Sequence, residues 1–318
     1  MKACINIAFG YIGKRHYFFD GDEMVSKYLE MLDPSNSGRV DLVNWSQHIT
    51  PLHLSEITSS CKELGPLARA SLSPEEVKLA QNLINRASKL GKEASKFGVR
   101  LLIDAEQTYV QPAISHIALD LQLKYNAKEK VDRAFIFNTY QMYLKGSLDR
   151  LKSDIERSNT LGYHFAAKLV RGAYMYSERE RAENLGYENP IHETIEDTHE
   201  SYDKAIQVVM HHRALGHNAE MLLGTHNEAS VNHAVTMMNN LCLNRHGIYF
   251  AQLLGMADHL TYNLGEYGYK SYKYVPYGDV EEVMPYLVRR MEENGSLLRN
   301  LDSELDMIQK EIGRRLYG

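Results

Sequence analysis

Between Val99 and Val275 the chain keeps a rhythm that few folds allow. Six short apolar, β-rich runs, at Val99–Asp104, Ala134–Asn138, Phe165–Val170, Ala219–Thr225, Gly247–Ala251 and Ser271–Val275, are each followed by a helical stretch. Strands this apolar leave no face for water, so they predict a parallel sheet covered by helices. The runs also end in polar residues: Asp104-Ala105-Glu106, Asn138-Thr139-Tyr140-Gln141, Arg171-Gly172-Ala173-Tyr174, Thr225-His226-Asn227, and Gln252 to Met256. Polar residues at the carboxyl ends of many strands are expected of a TIM-type barrel, whose active sites are built there. A doubly wound sheet would gather them at one switch point. Neither G-x-G-x-x-G nor G-x-x-x-x-G-K-[ST] occurs, which disfavours a Rossmann dinucleotide site and a P-loop.

The rest of the chain narrows the class. A formal charge of -5, from 36 basic and 41 acidic side chains, gives no reason to expect nucleic acid as a partner. Cys4, Cys61 and Cys242 are far apart and in no metal-ligand spacing, and read as free thiols. No run of about 18 apolar residues is present to span a membrane. Met1 to Phe19 shows no clear targeting or signal segment. Residues 1–72 read as an N-terminal helical segment. Within it Asp33-Pro34-Ser35-Asn36-Ser37-Gly38 begins an EF-hand-like loop, with oxygen ligands at positions 1, 3, 5 and 9 and glycine at 6. Position 12 is Asn44 rather than a bidentate glutamate, so a degenerate loop without a metal is expected. A second domain, 73–318, opens with Ser73 as N-cap, Pro74 at the first helical position and a long helix to about Phe97.

Near the C-terminus, helical spacing puts Tyr286, Arg289, Arg290 and Glu293 on one face. Adjacent guanidiniums can clamp one carboxylate in bidentate fashion, with the tyrosine as an aromatic wall. A solvated charged helix face is the plainer reading of the same residues. Other residues also carry two readings when taken singly. Asp104 suits a structural cap as well as a catalytic acid, and His226 suits a satisfied core histidine. Lys168 alone would suggest a Schiff-base lysine.

Taken in order, the strings Leu102-Ile103-Asp104-Ala105-Glu106, Phe137-Asn138-Thr139-Tyr140-Gln141, Lys168-Leu169-Val170-Arg171-Gly172-Ala173-Tyr174, Thr225-His226-Asn227, Tyr272-Lys273-Tyr274-Val275-Pro276-Tyr277-Gly278 and Tyr286-Leu287-Val288-Arg289-Arg290 resemble the proline dehydrogenase family, in its animal mitochondrial form. The resemblance runs from about Ser73 to the C-terminus. It implies a distorted (β/α)8 TIM-type barrel, here incomplete with about six strands, that oxidises L-proline to Δ1-pyrroline-5-carboxylate with FAD and passes electrons to a quinone. It implies Asp104 and Lys168 as catalytic residues. Arg289 and Arg290 would bind the proline carboxylate, Tyr274 and Tyr286 would pack on the ring, and Glu293 would orient the arginines. Ala105, Asn138, Arg171, Gly172, Ala173, Thr225 and His226 would contact the flavin. Asn138 falls where many bacterial members carry a glutamine, and Lys168 where they carry an arginine. Tyr274 favours proline over hydroxyproline, whose relatives tend to carry a serine there. The resemblance also implies a mitochondrial setting, on the matrix side of the inner membrane with peripheral contact to it. Two further strands that the family places before the helix-loop-helix are not identifiable in Met1 to Phe19. An N-terminally shortened member is therefore expected, with a non-catalytic fragment as the alternative.

Overall fold

The structure, a computed structural model, describes residues 30–40, 45, 48–50, 52, 54, 71–293 and 298–317, without the side chains of 289–293 and 298–304. The chain divides into two compact units, Met1–Lys92 and Glu93–Gly318. In the first, the Asp33 carboxylate folds the loop back on itself. It accepts hydrogen bonds from Ser35 Oγ, Ser37 N and Oγ, and Gly38 N, at 2.6–3.1 Å. These bonds, led by the Ser37 amide, hold its pKa below the ordinary aspartate value. Asn36 and Gly38 take positive φ to allow the turn. Asn44, on which the expected loss of coordination turns, lies outside the described residues, as do Met1–Phe19 and most of residues 41–70.

Fifteen elements follow. They are α1 Pro74–Phe97, β1 Leu101–Ile103, α2 Gln111–Tyr125, β2 Ile136–Gln141, α3 Ser147–Leu161, β3 Phe165–Val170, α4 Met175–Leu185, α5 Ile195–Ala214, β4 Ala219–Gly224, α6 Glu228–Asn240, β5 Ile248–Leu253, α7 Asp258–Glu266, β6 Lys270–Tyr274, α8 Val280–Glu293 and α9 Leu298–Tyr317. Helix α1 starts as its sequence dictates. Ser73 and Glu76 form a capping box, each side chain bonding the other's backbone N–H, at 3.3 and 2.8 Å.

The six strands are parallel and ordered β1-β2-β3-β4-β5-β6, a topology that right-handed helical crossovers produce by simple succession. The sheet is curled into a half-barrel. Arg100, next to β1, donates to Glu220 of β4 at 3.2 Å and hydrogen-bonds the hydroxyl of Tyr249 on β5. Its guanidinium carbon lies 4.5 Å from the centre of the Tyr249 ring. Strands lie about 4.8 Å apart, so a flat sheet would separate β1 from β5 by about 19 Å. Only a curled sheet brings these side chains together. Glu220 also accepts from the Tyr249 hydroxyl at 2.8 Å and from the Ala134 amide at 3.0 Å, so one buried carboxylate fastens the amino end of the barrel.

Two apolar layers hold the strands. The helix-facing layer includes Tyr140, Phe165, Leu169, Met221, Leu223 and Phe250, packed against α5 and α6 through Tyr202, Val209 and Val231. Full burial of side chains of this size contributes roughly 1.5–3 kcal/mol each. The inner layer is smaller: Ala134, Phe137, Ala166 and Tyr249, with Leu102 and Leu222 against them.

Strand β2 lies later than its apolar run suggests, at Ile136–Gln141 rather than Ala134–Asn138. The reason is a side chain. Asn126 Oδ1 accepts from the amides of Phe135 and Ile136, and its Nδ2 donates to the carbonyls of Ile136 and His164. The start of the run is thus tied to the end of α2, and the ladder continues through the polar residues instead. Similarly β5 runs on to Leu253.

Candidate active site

The carboxyl ends of the strands open into a cavity of about 810 Å3. Its floor is apolar, with Leu102, Phe137, Val170, Leu222 and Ala251, and its rim carries the polar residues. Alternation along each strand decides which residues face it. Register places Thr139, Lys168, Leu222 and Tyr249 in one row across β2 to β5, all facing the cavity. Gln141 and Val170 stand opposite each other one step higher.

Of the sequence-predicted residues, Asp104, Ala105, Lys168, Arg171, Gly172, Ala173, Thr225, His226, Tyr274 and Tyr286 all line this cavity. Lys168 Nζ donates to Asp104 Oδ1 at 2.5 Å, an ion pair reaching from the third strand to the end of the first. Tyr274, closing β6, meets Tyr286 of α8 with ring centroids 5.5 Å apart at 42°. Positions 289, 290 and 293 follow Tyr286 in α8; the side chains of Arg289, Arg290 and Glu293 lie outside the described ones.

Asn138 does not line this cavity. It is fully buried on the helix-facing side of β2, and its Oδ1 accepts from the Thr139 amide at 3.0 Å. Because β2 extends to Gln141, the inward positions are Phe137, Thr139 and Gln141. Period-2 alternation continued from Phe137 finds both polar ones; stopping the strand at Asn138 hides them. Gln141 donates from Nε2 to the Glu106 carbonyl at 2.7 Å, and Thr139 Oγ donates to the Ile103 carbonyl at 2.6 Å. The last strand pair adds Gln252 and Lys273. Gln252 is held between the Thr261 hydroxyl and the Thr225 carbonyl. Lys273 Nζ bonds Asp258 Oδ1 at 2.6 Å and the Met256 carbonyl at 2.7 Å.

Arg171 lines the cavity, but its guanidinium is spent on the protein. Its three nitrogens donate to His199 Nδ1, Thr225 Oγ1 and Ser230 Oγ at 2.7–3.0 Å, over the Tyr202 ring. Ser230 in turn donates to Asp203 at 2.6 Å, bringing a counter-charge to a partly buried cation. Burial lowers the Arg171 pKa, and burial followed by the Arg171 charge lowers that of His199. Accepting at Nδ1 requires His199 to be neutral. The Thr225 hydroxyl also accepts from the Asn227 amide at 3.0 Å, and Asn227 caps α6 by accepting from Ser230 N. His226 Nε2 accepts from the Leu253 amide at 3.0 Å, which fixes the ring across the β4–β5 ends.

Two glycines lie in the cavity wall where a side chain has no room. Gly172 takes φ 148°, and an added Cβ would stand 2.3 Å from Tyr143 ring carbons. At Gly224 a Cβ would meet Val170 at 3.2 Å and Lys168 Cε at 3.8 Å, beside the ion pair. A flat, glycine-lined wall beside hydroxyl, amide and cationic donors, over an apolar floor, suits a large planar cofactor with anionic and carbonyl groups. Among the described residues no cluster of three or more metal-ligating side chains exists.

Known proteins agree with this architecture. The family model described as proline dehydrogenase matches residues 19–302. Proline dehydrogenase 1, mitochondrial, of Homo sapiens is 42% identical over 287 residues, covering 88% of this chain and 47% of its own length. The Caenorhabditis elegans protein of the same name is 40% identical, covering 92% of this chain and 48% of its own. Hydroxyproline dehydrogenase of Xenopus laevis is 40% identical over 251 residues, with 77% and 53% covered. The chain spans about half the length of the curated relatives it matches. The crystal structure of proline utilization A from Bdellovibrio bacteriovorus superposes with a TM-score of 0.62 at 24% identity, over 68% of this chain and 22% of that one. That likeness supports the distorted TIM-type barrel. With the matched model covering most of its length, the chain belongs to the proline dehydrogenase family.

Proposed function

We propose that the chain oxidises L-proline to Δ1-pyrroline-5-carboxylate, the first step of proline catabolism, with FAD as cofactor and a quinone as electron acceptor. The observation that carries this reading is the Asp104–Lys168 ion pair at the wall of a glycine-lined cavity, with Tyr274 and Tyr286 across its mouth. Bound FAD supplies the hydride acceptor that no side chain of the chain provides.

The protein's own residues do the rest. Arg289 and Arg290 hold the substrate carboxylate in bidentate fashion, and Glu293 orients them. Tyr274 and Tyr286 pack on the pyrrolidine ring and exclude water from it. The bulk of Tyr274 disfavours a ring hydroxyl, so proline is taken over hydroxyproline. Lys168 places a positive charge on the cofactor side of the cavity, and Asp104 fixes its direction; preorganised charge of this kind acts where negative charge develops. Gly172, Ala173, Thr225, His226, Gln141 and Gln252 would hold the flavin, with Arg171 keeping Thr225 in place.

The Homo sapiens and Caenorhabditis elegans relatives carry mitochondrial names, which supports a mitochondrial setting; we assign the matrix side of the inner membrane, with peripheral contact. No helix among the described residues is long and apolar enough to cross a membrane. The test is turnover of the purified chain with L-proline and a soluble quinone. Product formation at a steady rate, lost on removing the flavin, supports the reading. Flavin-loaded protein with no turnover contradicts it.

A further inference from the structure

Glu178 lies in the first turn of α4 with 1% of its surface exposed, and nothing in the proposed chemistry uses it. Both of its oxygens serve one residue. Oε1 accepts from the Thr108 backbone N–H at 2.5 Å and Oε2 from the Thr108 hydroxyl at 2.7 Å. Thr108 sits in the loop between β1 and α2, four residues past Asp104. One turn along α4 the Arg181 guanidinium lies 4.2 Å from the centre of the Tyr109 ring. Helix α4 therefore grips the Asp104 loop at two adjacent residues. The same helix begins directly after Arg171-Gly172-Ala173-Tyr174, a loop that also lines the cavity.

A buried carboxylate costs free energy unless it is fully hydrogen-bonded, and a bidentate clasp on a loop is a poor use of one for packing alone. It is a good use for fixing distance. The near end of the loop is already anchored: the Glu106 amide donates to Gln111 Oε1 at 2.9 Å and its carbonyl accepts from Gln141. Glu178 anchors the far end. With the Ile103 carbonyl held by Thr139 before it and Glu106 and Thr108 held after it, the backbone that presents Asp104 to Lys168 has little freedom.

We infer that Glu178 is a positioning residue, which couples the Asp104 loop to the Gly172 loop and so sets the Asp104–Lys168 geometry. For its kinetic consequence the inference rests on the proposed proline oxidation. Glu178→Ala removes both acceptors; Glu178→Gln keeps one for the amide and can still pair with the hydroxyl. The experiment measures hydrogen exchange at the Thr108 amide and proline kinetics on both variants in the full chain. In Glu178→Ala, exchange at Thr108 should quicken by about tenfold or more, the factor that losing a charge-assisted bond allows. Amides of β3 to β5 should keep their protection. The kcat should fall by about tenfold with flavin content unchanged, and Glu178→Gln should restore most of both. Unchanged exchange and kcat in Glu178→Ala would overturn the inference. So would loss of protection throughout the barrel that Glu178→Gln shares, which would make Glu178 a general structural residue. If the unmodified chain shows no turnover, the proposed function fails, while the exchange comparison still decides whether Glu178 holds the loop.

Discussion

Lys168 reaches past β2 to place its ammonium 2.5 Å from the Asp104 carboxylate, joining the first and third strands of the half-barrel at the cavity wall. Both residues are fixed by neighbours. Lys168 stands in register with Thr139 and Leu222, and Asp104 follows a strand pinned through Ile103. Replacing Lys168 by Met keeps the length of the side chain and removes the charge. The expected result is a fall in kcat of about 100-fold, with flavin content near that of the unmodified chain. Stopped-flow reduction of the flavin by proline measures it.

Gly172 offers a stability test. Its φ of 148° and the 2.3 Å approach of a new Cβ to Tyr143 leave alanine no comfortable place. Gly172→Ala should cost about 1–3 kcal/mol and lower flavin content, read by denaturant unfolding and by the visible spectrum. Gly146, where a Cβ meets nothing within 4 Å, is the control position and should tolerate alanine.

The Arg100–Glu220–Tyr249 cluster tests the curl of the sheet. Removing Arg100 leaves a buried carboxylate without its cation. Arg100→Ala should destabilise the chain by about 2 kcal/mol, and the effect should shrink when Glu220 is also replaced by Gln. A double-mutant cycle on unfolding free energies checks the coupling.

His212 predicts a pH dependence. Its ring stacks on His217 at 4.3 Å, and burial first, then the His217 and Lys128 charges, push its pKa down to about 4 from 6.5. The folded state therefore holds His212 neutral in a range where the unfolded chain binds a proton. Its contribution to stability is whole above pH 6.5 and is lost progressively as pH falls toward about 4. Denaturant midpoints measured across that window should drop with pH, and His212→Gln should flatten the slope.

What the sequence made legible follows from period and order. Six apolar runs separated by helices specified a parallel sheet, and their polar ends named much of the cavity wall, including Asp104, Gly172 and Thr225, while Lys168, inside β3, was singled out by the family resemblance. What it hid depends on contacts between distant residues. Asn126 ties down the start of the apolar run, so β2 begins at Ile136 and continues to Gln141, and alternation from Phe137 then puts Asn138 outward and Thr139 and Gln141 inward. Nothing local to Arg171 reveals that His199, Thr225 and Ser230 consume its donors. Glu178 reads as an ordinary helix-surface acid until α4 is laid against Thr108. Arg100 likewise gains its meaning only when the sheet curls and Glu220 arrives beneath it.

The cavity is expected to bind a flavin that L-proline reduces. The direct measurement is the visible spectrum of the purified chain, recorded without oxygen before and after L-proline is added. The purified chain should show an oxidised flavin spectrum, about one flavin per chain, that proline bleaches and hydroxyproline bleaches far more slowly. A flavin spectrum that stays unchanged on adding proline, or a chain that takes up no flavin at all, would contradict it.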